Sequence, residues 1–409
     1  MKVFISRPHR TAMVAVALGA TMVLGACATA GSGPEPGSTG DAEDSSGPIR
    51  LGYIAALSGG SATMGVPAQQ GMELAVAELN ESGELGREIE LISADDEADA
   101  SISAAAAQRM VTEDDVVAII GGPNSGTVLA NNPIITGAGV VNMVSVAQAD
   151  NLVDPEQAGF PLTFRLTENN SYDVTAIAQL FEDGGYSTIC AVSDTTEYGQ
   201  SGIATIRSVF EERGLEIATA VEHEVNATDL TPQVLTLRDA ACDAVYLFDL
   251  GQDAALFMRT INQLGWEVPV IGGRGLNQPA FLDIAGAAAN GIIFPSVVDP
   301  EKPEMQAFIE AFDAEYGADA DPAHTFSVLG YDTIRILAAA LQESDFQGGE
   351  ALAAALEQTS ITGASGLEGS TLGFSADDHE AAGENYVTFW GIEDGKYQLY
   401  SRDVASGES

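Results

Sequence analysis

From residue 49 onward the chain alternates between short apolar runs, rich in β-branched residues, and amphipathic segments with helical spacing. The helical spacing is clear where Met72, Ala75, Val76 and Leu79 recur. Such regular alternation restricts the chain to an α/β fold built of doubly wound parallel sheets. The predicted strands are residues 49–55, 88–93, 116–120, 140–144, 188–193, 244–248, 268–271 and 291–294.

The end of the chain departs from this alternation. Residues 386–392 and 397–401 are two strand-like runs around Glu393-Asp394-Gly395, which predicts a hairpin. Because 409 residues exceed what one hydrophobic core normally holds, we expect two domains.

The charge balance narrows the range of partners. The chain carries 60 acidic and 16 basic side chains, a formal net charge of −44. Nucleic acids and anionic lipid surfaces are bound through basic residues that displace counterions, so the composition argues against both as partners. An apolar fraction of 45% excludes a wholly disordered chain.

The N-terminus has the character of an export signal. Three basic residues precede an apolar stretch at residues 12–24, and small residues follow it. The stretch is shorter than the roughly 20 residues that a membrane span needs. We therefore expect residues 1–26 to be a signal peptide.

A lipid anchor and a tether are predicted next. Leu24-Gly25-Ala26-Cys27 resembles the lipobox of bacterial lipoproteins, which implies lipidation of Cys27 and anchoring at the outer face of the cytoplasmic membrane. Residues 27–48 consist mainly of Gly, Ser, Pro and acidic residues without apolar periodicity. This composition is typical of a flexible tether.

Four predicted strands end in polar or glycine-rich loops. In doubly wound sheets, ligands bind beyond the carboxyl ends of the strands, where such loops lead into helix N-termini. Backbone N–H groups and hydroxyls at the start of a helix hold anions such as carboxylates. The loops that together predict a binding site are residues 57–61, 121–126, 193–199 and 272–275.

Three segments, in chain order, resemble the leucine/isoleucine/valine-binding family of periplasmic solute-binding proteins. Leu57-Ser58-Gly59-Gly60, ahead of a helix containing Gly71, is similar to the first loop of that family. Residues 194–202 are similar to its Asp…Tyr-Gly…Gly segment, and Leu329-Gly330-Tyr331-Asp332-Thr333 resembles its late helix. The likeness runs from residue 49 to residue 401.

The resemblance implies two α/β lobes joined by three crossovers, which close on a small solute and present it to the permease of an ABC importer. A monomer is expected. The crossovers are predicted near residues 164–166, 296–300 and 372–374. Lobe one is predicted to comprise residues 49–165 plus 298–372, and lobe two residues 166–297 plus 373–402.

The resemblance also implies which residues hold the solute. In the family, a serine after the third strand and the loop after the fourth hold the carboxylate and ammonium of an amino acid. The first loop and the Tyr-Gly segment contribute further side chains. The matching positions here are Ser58, Met64, Ser125, Val146, Ala147, Gln148 and Tyr198.

Arg274 departs from the family pattern, in which a carboxylate at this place often meets the ammonium of the ligand. A guanidinium suits a carboxylate, and a buried guanidinium needs a partner. Two interpretations stay open. Either Arg274 binds an acidic group of the solute, which we favour, or Asp249 neutralises Arg274 and the solute is an amino acid or a neutral amide.

Two cysteines fall in or beside predicted strands of lobe two. Cys190 lies in one strand and Cys242 just before another, and an exported protein meets the oxidising conditions in which disulfides form. A Cys190–Cys242 disulfide and two buried thiols both fit the sequence. The offset along the strands decides whether the Cα atoms come within about 7 Å of each other.

The sequence lacks the arrangements typical of an enzyme. Beyond residue 48 the histidines are His223, His324 and His379, far apart and without metal-ligand spacing, so neither a metal nor a cofactor is expected. Residues 121–126 lack the lysine of a phosphate-binding loop, and no G-x-S-x-G elbow occurs. We expect a binding protein without catalysis. The alternatives are a sensory ectodomain that uses the same clamp and an exported hydrolase on a similar scaffold.

Overall fold

The computed structural model describes residues 47–317, 324–383 and 385–401. The predicted signal peptide, Cys27 and the tether as far as residue 46 lie outside the described residues. Among the residues that are described, no helix combines the length and the apolar content that crossing a bilayer requires.

Lobe one begins with a five-stranded parallel sheet and its helices. In chain order the elements are β1 (Ile49–Ala55), α1 (Ala62–Ser82), β2 (Ile89–Asp95), α2 (Ala100–Glu113), β3 (Ala118–Gly121), α3 (Ser125–Gly137), β4 (Val141–Val144) and β5 (Thr163–Arg165). The strand order is β2-β1-β3-β4-β5, and all neighbours run parallel. Every residue of β3 and β4 is buried, because helices cover both faces of a parallel sheet.

Lobe two repeats the alternation of strand and helix. Its elements are α4 (Asn170–Asp183), β6 (Thr188–Asp194), α5 (Glu197–Arg213), β7 (Glu216–His223), α6 (Thr231–Asp239), β8 (Ala244–Phe248), α7 (Gly251–Gln263), β9 (Val270–Gly272), α8 (Pro279–Ala285) and β10 (Ile293–Ser296). These five strands run parallel in the order β10-β9-β8-β6-β7. A disulfide joins Cys190, in β6, to Cys242, just before β8, with the two Cα atoms 5.7 Å apart.

The chain then returns to the helices of lobe one. This segment forms α9 (Pro303–Tyr316), α10 (His324–Glu343), α11 (Gly349–Leu356) and a two-stranded ladder of β11 (Ser360–Ile361) with β12 (Leu372–Gly373). A Cβ atom at Gly71 of α1 would lie 1.8 Å from the carbonyl oxygen of Ser327, and one at Gly330 of α10 would lie 2.0 Å from that of Ala68. Both glycines are therefore needed for the close contact between α1 and α10.

The last two strands complete the sheet of lobe two. β13 (Thr388–Glu393) and β14 (Lys396–Ser401) form the predicted hairpin, and β13 pairs antiparallel with β10. The full order is β14-β13-β10-β9-β8-β6-β7. The fold is thus α/β with two lobes, each built on a parallel sheet, as predicted.

The sequence missed four strands: the two-residue strands β11 and β12, and β5 and β7 of the two main sheets. β5 is only three residues long, too short for a periodic pattern. β7 forms the edge of its sheet beside β6, so one side of the strand faces outward and exposed polar residues such as Glu216 and Glu222 interrupt its apolar run.

A partly buried ion pair lies where β5 ends. Arg165 has no exposed surface, and its guanidinium binds both carboxylate oxygens of Glu380, with Nε 2.7 Å from Oε2. Its Nη1 also donates to the carbonyl oxygen of Ala149 at 2.8 Å. This ion pair therefore lies at the first predicted crossover, residues 164–166. The positions of the crossovers remain predictions.

Candidate functional site

A cavity of about 460 Å³ lies between the carboxyl-terminal edges of the two sheets. Its volume is within the range of sites for small molecules. Loops after β1, β2, β3 and β4 form most of one wall, and loops after β6, β7, β8 and β9 form the other. The lining side chains include Ser61, Thr63, Met64, Asn124, Ser125 and Gln148 of lobe one, and Asp194, Glu197, Tyr198, Asp253, Arg274 and Gln278 of lobe two.

The lobe-one wall is centred on the start of α3. Asn124 is the N-cap residue, but its side chain donates to the Ser61 hydroxyl at 3.1 Å rather than capping the helix. Ser125, 2% exposed, is the first helical residue and lines the cavity. Because the first N–H groups of a helix have no partner within it, this wall offers an anion both backbone donors and a hydroxyl.

Tyr198 lies on the opposite wall. Its ring stacks on Phe248 with centroids 4.4 Å apart. The hydroxyl has no hydrogen-bond partner among the described residues. Burial raises the pKa of Tyr198 well above its usual value, so the hydroxyl is a neutral donor.

Arg274 reaches across from the loop after β9. Its Nη1 donates to the Thr167 hydroxyl at 2.7 Å and lies 3.3 Å from Oε1 of Glu168. Its Nη2 donates to the carbonyl oxygen of Val146, on the lobe-one wall. The guanidinium carbon is 6.0 Å from the centre of the Phe326 ring. Arg274 is thus an ion-paired link between the two walls.

The partner of Arg274 is not the one considered from the sequence. Asp249 is fully buried and lies 2.7 Å from Nε2 of His223. Burial raises the pKa of Asp249 to about 6, against the lowering effect of His223. Burial opposes the imidazolium form, but the hydrogen bond and charge of Asp249 outweigh it and raise the pKa of His223 to about 9. The interpretation in which Asp249 neutralises Arg274 is therefore wrong, since Glu168 occupies that role.

Gln148 connects lobe one to two buried carboxylates. Its amide nitrogen donates to Glu168 at 3.0 Å and to Asp173 at 2.7 Å. Burial, and then the charge of Glu168, raise the pKa of Asp173 well above its usual range, while Arg274 opposes the shift. Gln148 thus supplies an amide donor to this cluster.

Three predicted site residues, Ser58, Ala147 and the Asp249 just described, do not line the cavity. Ser58 is exposed, and its hydroxyl binds Asp95 and helps to lower the pKa of that carboxyl. Ser61, at the end of the same loop, and Thr63, in the first turn of α1, line the cavity instead. Ala147 is buried behind the wall, where its carbonyl oxygen accepts a bond of 3.4 Å from Arg165. Met64, Ser125, Val146, Gln148, Tyr198 and Arg274 do line the cavity.

Further hydrogen bonds join the two lobes at separate places. The Thr63 hydroxyl donates to Oε1 of Gln278 at 2.7 Å. The Asn151 amide donates to Oε1 of Glu197 at 2.8 Å. With the bond from Arg274, these contacts hold the described lobes in a closed arrangement.

Sequence reasoning missed several lining residues, notably Asn124, Asp194, Asp253 and Gln278. Asn124 and Asp194 stood inside loops singled out at strand ends, so position relative to the strand was the usable signal. In the described part of the chain, no group of three His, Cys, Asp or Glu side chains is placed to hold a metal ion.

Comparisons with known proteins match this architecture. The family model described as periplasmic binding protein matches residues 48–396. Among curated proteins, the chain is 26% identical over 318 residues to the Leu/Ile/Val-binding protein BraC3 of Rhizobium johnstonii, covering 76% of this chain and 83% of the relative.

Solved structures share the fold. A type 1 periplasmic binding protein from Bordetella pertussis Tohama I has a TM-score of 0.79 and 24% identity, covering 87% of this chain and 100% of that one. A solute binding protein of an ABC transporter from R. palustris, in complex with benzoate, has a TM-score of 0.76 and 22% identity, covering 87% and 96%.

Proposed function

Because the chain belongs to the leucine/isoleucine/valine-binding-like family of periplasmic binding proteins, we propose that it captures a small carboxylate-bearing solute, an amino acid or an organic acid, for an ABC importer. Capture is a hinge closure. A solute that contacts both lobes stabilises the closed state in proportion to its preference for that state. No catalytic step belongs to this function.

One observation carries the proposal: a single cavity of about 460 Å³ has walls from both lobes. Opening the hinge would divide its lining, since Ser125 and Gln148 lie on one side and Tyr198 and Arg274 on the other. A solute bound there is therefore coupled to closure.

The lobe-one wall supports a carboxylate as the common feature of the solute. The positive end of the α3 dipole and the Ser125 hydroxyl favour an anion at this place. Leucine, isoleucine and valine, named for one relative, and benzoate, named for another, all carry a carboxylate. In this arrangement the charge of Arg274 is balanced by Glu168, and its hydrogen bond to Val146 of lobe one stabilises the closed cavity.

The proposal also covers the location of the protein in the cell. Export through the signal peptide and lipidation of Cys27 would hold the binding lobes at the outer face of the cytoplasmic membrane, close to a permease.

A thermal-shift screen against amino acids, aromatic acids, dicarboxylates and small amides tests this function. A solute at 100 times its Kd adds about 2.7 kcal/mol to the free energy of unfolding. We expect carboxylate-bearing solutes to raise Tm, and Ser125→Ala to reduce the rise by weakening affinity about 3- to 10-fold, the equivalent of one neutral hydrogen bond.

Ser208→Ala is the matched control, because Ser208 is an exposed serine of α5. It should leave the ligand-induced shift unchanged. Stabilisation by neutral amides alone, with carboxylates inert, would contradict the proposed solute class.

A further inference from the structure

The charges on the cavity walls do not balance. Arg274 is the one cationic side chain among the described residues that line the cavity, and it is already paired with Glu168, 3.3 Å away. Its charge is therefore not available to offset the acidic side chains of the two walls. Those side chains are Glu97, Asp194, Glu197 and Asp253.

Asp194 differs from the other three carboxylates because one of its buried oxygens has no hydrogen-bond partner among the described residues. It has 0% exposure, and its Oδ1 accepts hydrogen bonds from the backbone N–H and the hydroxyl of Thr196. Its Oδ2 has no partner among the described residues, and neither has the hydroxyl of Tyr198, which is 8% exposed on the same wall. A buried carboxylate oxygen without a partner is unfavourable, so a donor from the solute would stabilise it.

Neighbouring groups add to the deficit of positive charge. Asp253, 8% exposed in the first turn of α7, accepts the N–H of Asn226 at 2.8 Å through Oδ2. Asp249 lies behind this wall, paired with His223. Asp194, Asp249, Asp253 and His223 form what we call the acidic corner.

With every group of the acidic corner ionised, three carboxylates and one imidazolium leave a net charge of −2. Burial raises the pKa of Asp194, and the charge of Asp253 contributes to the shift. A cation that enters the corner would hold Asp194 in its ionised form.

We propose that the solute carries a primary ammonium or guanidinium group at its far end, which binds in the acidic corner while the carboxylate of the solute meets Ser125. This inference rests on the proposed function and narrows its solute class to basic amino acids. Strand β8 separates β6, which carries Asp194, from β9, which precedes Arg274. Two strand spacings are about 10 Å, so the cation would bind well apart from the guanidinium of Arg274.

Isothermal titration with L-arginine and L-citrulline tests the inference. The two solutes have nearly the same length and the same α-carboxylate and α-ammonium, but citrulline has a neutral ureido group in place of the guanidinium. We expect L-arginine, or L-lysine in a parallel titration, to bind at least about tenfold more tightly than L-citrulline, the equivalent of a hydrogen bond to a charged group.

Asp194→Asn is the decisive variant, because the amide oxygen still accepts from Thr196 while Oδ2 is replaced by a donor. It should reduce the preference for L-arginine over L-citrulline to within about threefold. Asp239→Asn, at the exposed C-terminal end of α6, is the matched control and should keep the preference. Asp253→Asn provides a second test should Asp194→Asn unfold, as judged by circular dichroism.

The outcomes separate this inference from the proposed function. Binding of L-citrulline, L-leucine or benzoate as tight as that of L-arginine would overturn the inference and leave carboxylate capture intact. An unchanged preference in both Asp194→Asn and Asp253→Asn would also overturn it. If no solute of the panel bound, the proposed function would fail, and the inference with it.

Discussion

The two walls of the cavity differ in how they present polarity to a solute. Lobe one offers mainly neutral groups, the hydroxyls of Ser61, Thr63 and Ser125 and the backbone at the start of α3. Lobe two offers charged side chains, such as Asp194 and Arg274.

This difference follows from what each wall is made of. Backbone donors at a helix start depend on the helix rather than on side-chain identity, so they suit a group that many solutes share. Buried charges depend on partners and are costly when unpaired, so they discriminate between solutes. Substitutions of lobe-two charges should therefore change the free energy of unfolding or of solute binding more than substitutions of lobe-one hydroxyls do.

The largest effect is expected for Arg274→Ala. It would leave Glu168 buried without its cationic partner, with Asp173 nearby on the same Gln148 amide. Breaking a buried ion pair on one side destabilises a protein by about 3–5 kcal/mol. Denaturant unfolding measures this loss.

Two variants check that prediction. Arg207→Ala removes an exposed arginine of α5 and should leave the free energy of unfolding nearly unchanged. The double variant Arg274→Met/Glu168→Gln removes both charges and should recover part of the loss. A single Arg274→Ala variant as stable as the parent would show that the charges of lobe two are not coupled as described.

The next effect is a pH dependence that arises behind the lobe-two wall. The pKa of His223 is raised from 6.5 to about 9, so the folded state binds a proton that the unfolded chain releases. The resulting stabilisation is complete below about pH 6.5 and is lost as the pH rises through 9, a loss of at most roughly 3 kcal/mol.

Thermal unfolding between pH 6.5 and 10 measures that loss, and His223→Gln should flatten the profile over this range. Asp249 titrates in a separate window. Its folded-state pKa is raised from 3.8 to about 6, so its contribution declines between those values as the pH rises. A parent protein with equal stability at pH 7 and pH 10 would argue against an ionised His223–Asp249 pair.

The smallest effect is expected on the lobe-one side. Thr63→Val keeps the shape of the side chain and removes one neutral hydrogen bond to Gln278 across the cavity. Such a bond contributes about 0.5–1.5 kcal/mol, so solute affinity should fall by no more than about tenfold. Titration of the variant against the parent decides this, and a fall in solute affinity well beyond about tenfold would remove the contrast between the walls.

The sequence predicted much of the fold, for identifiable reasons. Buried strands and amphipathic helices follow from periodicity, and β3 and β4 are apolar at nearly every position. Gly71 and Gly330 stood in segments that resembled the family, and the structure shows their physical role, the close approach of α1 and α10. Strand β7 was not predicted, because it lies at the edge of its sheet and exposed residues interrupt its apolar pattern.

Much of the site could not be predicted from the sequence, because its pairings are long-range. Arg274 and Glu168 are far apart in the chain, and nothing local marks the glutamate as the partner. Asp249 was considered for that role on the basis of strand neighbourhood, but His223 at the end of β7, a strand not predicted, binds it instead. The charge balance of the cavity depends on these pairings, so it does not follow from the sequence alone.

Small-angle X-ray scattering, with and without a saturating solute, tests the central claim most directly, namely that two lobes close on one small molecule. We predict that the radius of gyration falls on addition of L-arginine, and that Asp194→Asn requires a higher concentration for the same change. Scattering curves that stay identical across basic, neutral and acidic amino acids and aromatic acids would contradict the account.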